Sequence, residues 1–414
     1  MSTRSSLGCP AVPARPARTV DLNNFQAATA KTARDINRRI VLNLIRKHQP
    51  ISRADLARHS RLQRSTVSAI TEQLIAERWV TVGALGDLPR GRRPSFLHLN
   101  GDRAAILGVD VRPAETTIAV ADLSMRFLSQ ETIPTSDNPE QFIAELCKRI
   151  CHTTKSSPRL RFEGIGMALP GRVDLATNKL AFAPNLGWKA VDLKTPLEQA
   201  TGLTVDLENA ANACALAEIW SGRHSERVRN LISLTISEGI GVGLILNGQL
   251  VRGAGGLAGE FGHVAVQEDG PRCKCGNQGC FEACASNTAA VRYFSELKSS
   301  ANARKPSAPS FGSILQLVEQ GDVCACDALD RMAHFLGIGT AMLVTGLSPD
   351  VIVLVGEVTS AWERVGPIVN RIVERRAVAG LHTRILPTDP RTQPRLRGAI
   401  ALVLQEHFGA PQHL

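Results

Sequence analysis

One imidazole and three thiols fall within a span of 18 residues of this chain: His263, Cys273, Cys275 and Cys280. Imidazole nitrogen and thiolate sulfur are the ligands that tetrahedral zinc takes, and four of them close its coordination sphere, leaving no position for a catalytic water. The spacing predicts one structural zinc per chain, whose effect is to position something else. Two carboxylates flank it. Glu260 stands three residues before the histidine and Glu282 two after the last cysteine, so a metal clamp would fix both as the hydrogen-bond acceptors that a hydroxyl-rich small molecule needs. Gly276 and Gly279 permit the tight backbone around the ion. Cys284 is a competing thiol, while Cys324-Ala-Cys326 has no comparable partners and reads as small buried or surface residues.

Ten cysteines in 414 residues are too sparse for a disulfide scaffold and fit the reduced thiols of a cytosolic protein. No apolar run is long enough to span a membrane and no signal-peptide core follows the N-terminus, which predicts a soluble, cytoplasmic chain without a membrane partner. The net charge of +10 is uneven: residues 1–100 hold 17 Lys and Arg against 6 Asp and Glu, and the remainder 31 against 32. A basic terminal segment on a neutral body predicts a nucleic-acid-binding module joined to a part that does not bind nucleic acid.

The pattern within that segment supports the same reading. Residues 1–33 read as a disordered basic tail, since Pro10, Pro13 and Pro16 spoil an amphipathic helix. Residues 34–100 read as a winged helix-turn-helix. A first helix over Asn37 to His48 turns Ile40, Val41, Leu44 and Ile45 to one face and stops at Pro50. Ser52 caps a second helix, Arg53 to His59. A turn through Ser60-Arg61-Leu62-Gln63 leads into a third, Arg64 to Arg78, with Val67, Ile70 and Leu74 facing inward. Ser65, Thr66, Ser68 and Thr71 lie on or near its open side. Two short strands, near Trp79 to Val82 and Phe96 to Leu99, flank a basic loop containing Arg92 and Arg93, which suits a minor groove. Recognition helices present base-reading groups from their first turn, so Gln63 and Arg64 are the leading candidates. Arg53, Arg61, Ser65, Thr66, Ser68, Arg92 and Arg93 complete the predicted contacts with a double-stranded, palindromic operator.

Beyond residue 100 the period changes. Strand patterns recur at Ala104 to Val111, Thr116 to Leu123, Gly164 to Leu169, Leu231 to Ile236, Gly241 to Leu246 and Val351 to Val355. A helix pattern lies near Gln141 to His152, and others separate several of the strands. This length exceeds one usual core and predicts two α/β lobes: residues 101–224 with 395–414, and residues 225–394 carrying the zinc site. Lys298 to Ser310 reads as a flexible surface loop.

These motifs together resemble the ROK family of sugar kinases and sugar-responsive repressors, in its branch with an N-terminal winged helix-turn-helix. The resemblance covers roughly residues 36–408. It rests on Pro170-Gly171-Arg-Val-Asp174, Asn185-Leu-Gly-Trp188, Glu208-Asn209, Gly253 through His263, and the Cys273 to Glu282 cluster, in that order. It implies two RNase H-like lobes of the actin-like ATPase superfamily around a sugar cleft, with the last helix returning to the first lobe. It further implies sugar contacts at Asn185, Asn209, Glu260, His263 and Glu282, and a homodimer or homotetramer. His263 would hold zinc through one ring nitrogen and face the sugar with the other.

The sequence departs from the kinase pattern in four places. Kinases of the family carry Asn-Asp where this chain has Asn209-Ala210, and alanine cannot take a proton from an attacking hydroxyl. Their phosphate loop reads Asp-x-Gly-Gly-Thr; here it is Asp110-Val111-Arg112-Pro113-Ala114, in which Pro113 removes a backbone donor. Ser237-Glu238-Gly239 replaces Gly-Thr-Gly, and Val355-Gly356-Glu357 keeps one glycine of two. The phosphoryl-transfer side is degraded and the sugar side kept. The expected function is a sugar-responsive transcriptional regulator, a repressor of carbohydrate uptake or catabolism genes, with no catalytic residue. The alternatives are an unusual or residual sugar kinase with an appended DNA-binding domain and a DNA-binding structural regulator with no small ligand, open to gating by a protein partner.

Overall fold

The computed structural model describes residues 30–85, 95–101, 104–174, 177–220, 228–300, 309–378, 380 and 382–408. Helix α1 (Ala30–His48) begins earlier than its apolar pattern suggests, because alanines at 30 and 33 extend it without a breaker. Its buried stripe is Val41, Leu42 and Ile45, while Ile40 is exposed, so the face is rotated from the predicted one. The two-residue strand β1 (Ile51–Ser52) precedes α2 (Arg53–Ser60), and the Ser52 hydroxyl accepts the Asp55 N–H at 3.2 Å, as an N-cap should. Arg61, at φ 58°, turns the chain into α3 (Arg64–Ala76), where Val67, Ile70 and Leu74 are buried as expected. Strands β2 (Val80–Leu85) and β3 (Ser95–Leu99) pair antiparallel, with β1 on the other side of β3. The strands of the wing exist; Arg92 and Arg93 lie outside the described residues.

The next unit contains β4 (Ala104–Val111), β5 (Glu115–Asp122), β6 (Phe127–Pro134), α4 (Pro139–Ser156) and β7 (Arg161–Leu169). A small meander follows, β8 (Arg172–Asp174), β9 (Lys179–Ala183) and β10 (Trp188–Val191), then α5 (Lys194–Thr201), β11 (Val205–Asn209) and α6 (Ala210–Trp220). Its main sheet runs β11-β7-β4-β5-β6, antiparallel among β4, β5 and β6 and parallel at β4–β7–β11.

The last unit repeats that plan with β12 (Leu231–Ile236), β13 (Ile240–Leu246), β14 (Gln249–Leu250), α7 (Phe281–Ala285), α8 (Asn287–Ser300), α9 (Phe311–Glu319) and α10 (Val323–Leu347). It ends in β15 (Val351–Val355), α11 (Trp362–Arg376) and β16 (Arg384–Pro387), and α12 (Pro394–Phe408) closes the described chain. The sheet order is β14-β13-β12-β15-β16, again three antiparallel strands followed by two parallel ones. Two sheets of identical order give the paired RNase H-like lobes. Helix α8 includes Lys298, whose ammonium reaches Asp322 at 2.8 Å, so the start of the predicted surface loop is helical. Helix α12 lies on the first sheet, the Cβ-less Gly166 meeting the Ala399 backbone.

One apolar core is continuous from α1 and α3 through α6 and α12 to β12 and β15; it includes Ile45, Leu74, Trp220, Ile400, Phe408, Leu231 and Val353. Separate cores fill the second lobe around Phe281 and Leu336 and the far face of the first sheet around Phe142 and Trp188. Among the described residues no helix is long and apolar enough to cross a membrane.

Candidate functional site

The segment after β14 folds back on itself. The Val266 amide donates to the Gly279 carbonyl and the Phe281 amide to that of Val264, both at 2.8 Å, and Ala265 and Cys280 form an antiparallel bridge. The Cys273 amide donates to the Asn277 carbonyl at 2.8 Å. Gly279, at φ 67°, has no room for a Cβ against the Gln267 carbonyl. This hairpin brings one atom each of His263, Cys273, Cys275 and Cys280 within 4.8 Å of one another. Cys275 Sγ lies 3.7 Å from Cys280 Sγ, and His263 Nδ1 lies 3.7 Å from Cys273 Sγ. Zinc–sulfur bonds of about 2.3 Å and zinc–nitrogen bonds of about 2.0 Å set tetrahedral edges of roughly 3.6–3.8 Å, so the donor set fits one four-coordinate ion. Burial pushes the Cys273 thiol up to about 12, and a bound metal would displace its proton. Cys284 is buried and turned away, its Sγ toward Gln267 Oε1 and the Gly279 carbonyl, and it is outside the cluster.

The flanking carboxylates are held differently from each other. Glu260 and His263 share one turn of 3₁₀ helix, with His263 Nε2 3.6 Å from Glu260 Oε2, so the ring turns Nδ1 to the thiols and Nε2 to the carboxylate. Glu282 Oε2 accepts the Ile240 N–H at 3.1 Å and its other oxygen lies 3.8 Å from Cys273 Sγ. Asn185, from the first lobe, meets the metal loop: Lys274 Nζ donates to its Oδ1 at 3.3 Å. Asn209 caps α6, its Oδ1 accepting the Ala211 N–H at 2.8 Å while its Nδ2 donates to the Gly171 carbonyl at 2.7 Å. Its amide is thus largely committed within the protein.

Two residues here carry no role in the sequence reading: Glu208, named only within the Glu208-Asn209 motif, and Arg252. Glu208 is 3% exposed, and its Oε2 accepts Arg252 Nε at 2.8 Å, joining the first lobe to the second; its Oε1 accepts the Asn209 amide at 3.0 Å and Asn212 Nδ2 at 2.9 Å. The available signal was position: Glu208 is half of the Glu208-Asn209 motif and Arg252 adjoins Gly253.

On the opposite side, Asp110 is buried between two guanidinium groups, accepting Arg395 Nε at 2.7 Å and Arg112 Nε at 2.8 Å. Arg395 Nη2 also donates to the Val111 carbonyl at 2.7 Å. Ala210, the first residue of α6, is buried. Across the winged helix, Arg61, Gln63, Arg64 and Ser65 are exposed, and Thr66 and Ser68 half-buried. Two placements differ from expectation. Thr71 is fully buried, and Arg53 is turned inward, Nε donating to Thr71 Oγ1 at 3.0 Å and Nη1 to Ser95 Oγ at 3.1 Å. Arg53 therefore ties α3 to the wing.

Residues 106–406 match the family model described as ROK family. The chain belongs to the ROK family. Within it, the chain is 31% identical over 378 residues to a xylose repressor of Bacillus spizizenii, covering 90% of this chain and 96% of that one. A solved ROK family transcriptional regulator, described as a homolog of E. coli MLC protein, superposes with a TM-score of 0.78 at 26% identity, covering 91% and 98% of the two chains. A ROK family glucokinase from Streptomyces griseus, solved with glucose and AMPPNP, gives 0.64 at 29% identity and covers 72% of this chain and 98% of its own. The regulator extends over a larger share of this ROK chain than the kinase does.

Proposed function

We propose that this protein is a sugar-sensing, DNA-binding transcriptional regulator, acting as a repressor, with no phosphoryl-transfer activity. The observation that carries the reading is the contrast across the molecule. The donor set at His263, Cys273, Cys275 and Cys280 is complete, with Glu260 and Glu282 beside it, while Ala210 stands where a kinase has its base and Asp110 is neutralised by Arg112 and Arg395.

In this reading residues 34–100 contact DNA, residues 101–224 with 395–414 form one lobe, and residues 225–394 form the other. Zinc binds the four clustered ligands and fixes the hairpin that presents Glu260, His263 and Glu282. Carboxylate acceptors and the Nε2–H donor of a metal-bound His263, with Asn185 and the remaining amide hydrogen of Asn209, suit the paired hydroxyls of a monosaccharide. Arg61, Gln63, Arg64 and Ser65 supply the exposed contacts to the operator, with Thr66 and Ser68 beside them and Arg92 and Arg93 on the wing. A homodimer or homotetramer would place two recognition helices on a palindrome.

A thermal-shift screen of monosaccharides and their phosphates, followed by footprinting with and without the hit, tests the reading. A ligand at about 100 times its dissociation constant adds roughly 2.7 kcal/mol. The expected result is one sugar class that stabilises the chain and alters the footprint. Sugar-dependent ATP turnover that Glu260→Ala abolishes would overturn it in favour of a kinase.

A further inference from the structure

The winged helix packs on α12 and on the C-terminal end of one short helix, α6, which also touches both lobes. Ten of the eleven residues of α6 are buried, and each end is gripped by a different unit. At its N-terminus Asn209 provides the cap, and Glu208 reaches across to Arg252 of the second lobe. Along its length the Cβ-less Gly243 of β13 and Gly398 of α12 lie directly on its backbone at Ala211 and Ala213. At its C-terminus Arg46 of α1 donates Nη1 to the Trp220 carbonyl at 3.1 Å and stacks its guanidinium 4.5 Å from the indole centroid. Trp220 meets Phe408 edge-on at 6.2 Å, and Asn43 of α1 donates to the Phe408 carbonyl. A helix packed this closely moves as a unit, because tightly packed interiors shift between discrete arrangements and do not deform smoothly.

We propose that α6 is the relay between the cleft and the DNA-reading unit: a lobe movement felt through Arg252 and Glu208 is delivered by Trp220 to Arg46 of α1. This rests on the reading that the cleft binds a sugar and the winged helix an operator. Arg46 is a positioning residue. It faces α6, whereas the exposed Arg61, Gln63, Arg64 and Ser65 proposed to meet DNA lie on the turn before α3 and its first residues.

The test uses the full chain, with operator affinity measured without sugar and at saturating sugar for the parent, Arg46→Met and Arg46→Lys. Lysine keeps the charge and apolar stem but loses the planar stack. In the parent the ratio of the two affinities should fall in the range of about 5- to 150-fold typical of coupled sites. In both variants it should fall below about 2-fold, while sugar affinity and sugar-free operator affinity stay within about 3-fold of the parent. Coupling is reciprocal, so operator DNA should shift sugar affinity in the parent by the same factor and lose that effect in the variants.

A folded variant that keeps the parental ratio overturns the relay alone. A parent indifferent to every sugar in the panel overturns the functional reading and the relay with it. If both variants unfold, hydrogen exchange of the parent decides: sugar should change protection of the amides of residues 40–48, and unchanged protection there overturns the proposal.

Discussion

Arg395 Nε donates to Asp110 Oδ1 at 2.7 Å, while Arg112 Nε holds the other oxygen of the same carboxylate at 2.8 Å. Arg395 lies in the first turn of α12 and Asp110 is the last residue but one of β4, so a contact across 285 residues closes the loop that the proposed reading compares with a kinase's phosphate loop. With Pro113 lacking an N–H and Glu115 exposed beside it, that side offers poor backbone donation and added negative charge to a triphosphate.

In the proposed reading, the absence of phosphoryl transfer therefore does not rest on Ala210 alone. A general base typically contributes about 10²- to 10⁴-fold, yet restoring one should achieve nothing without a nucleotide. We expect Ala210→Asp to consume ATP no faster than a protein-free control in a coupled assay with a hexose and pentose panel. Sugar-dependent turnover by that variant would show that the nucleotide side is functional after all.

The metal cluster should be part of the fold. Cys280 is fully buried and its Sγ lies 3.4 Å from the His263 carbonyl, so its loss leaves the hairpin without an anchor. We expect about one zinc per chain in freshly purified protein, since the four donors fit one tetrahedral ion. For Cys280→Ser we expect little zinc and a melting temperature lower by about 5 °C or more, because each kcal/mol moves a lobe of this size by about 2–4 °C and metal binding contributes to folding. Elemental analysis and calorimetry check it. Full zinc occupancy in the variant would remove Cys280 from the ligand set.

The parts legible in the sequence were those encoded by local spacing. The clustering of His263, Cys273, Cys275 and Cys280, the inward positions Val67, Ile70 and Leu74, the Ser52 cap and the main strands of both lobes all follow from patterns a few residues long. What stayed hidden joins distant segments. Arg53 meets Ser95 across 42 residues, Glu208 meets Arg252 across 44, and Asp110 meets Arg395 across 285. No local period reports such pairs. Thr71 was misplaced for the same reason: a hydroxyl on a predicted open face becomes buried once Arg53 folds over it.

That difference separates two arginines of the winged helix. Arg64 is exposed at the start of α3, so Arg64→Ala should cost about 1–3 kcal/mol of operator binding and relax preference at one or two base positions. Arg53→Ala instead leaves the buried Thr71 hydroxyl without its donor, which should lower stability by about 1–3 kcal/mol and weaken all operators alike. Denaturant melts paired with binding to single-substitution operator libraries distinguish them. Equal stability loss in the two variants, or altered base preference from Arg53→Ala alone, would reverse the assignment.

The junction between the winged helix and α12 should respond to acid. His407 lies tilted against Trp79, the ring centroids 5.0 Å apart, and burial lowers its pKa below the ordinary 6.5, with Arg38 and Arg39 of α1 and Arg161 of β7 adding repulsion. Glu163 of β7 faces it from 3.9 Å, and the net direction is still downward. Because the unfolded chain binds this proton more readily than the folded one, stability rises with pH across the interval. The contribution is complete above about 6.5 and is lost progressively as pH falls toward the depressed folded value. We expect parental stability, followed by denaturant melts at stepped pH, to decline below pH ~6.5 more steeply than that of His407→Gln, which cannot take up a proton. Parallel pH profiles for the two proteins would show that His407 does not set this dependence.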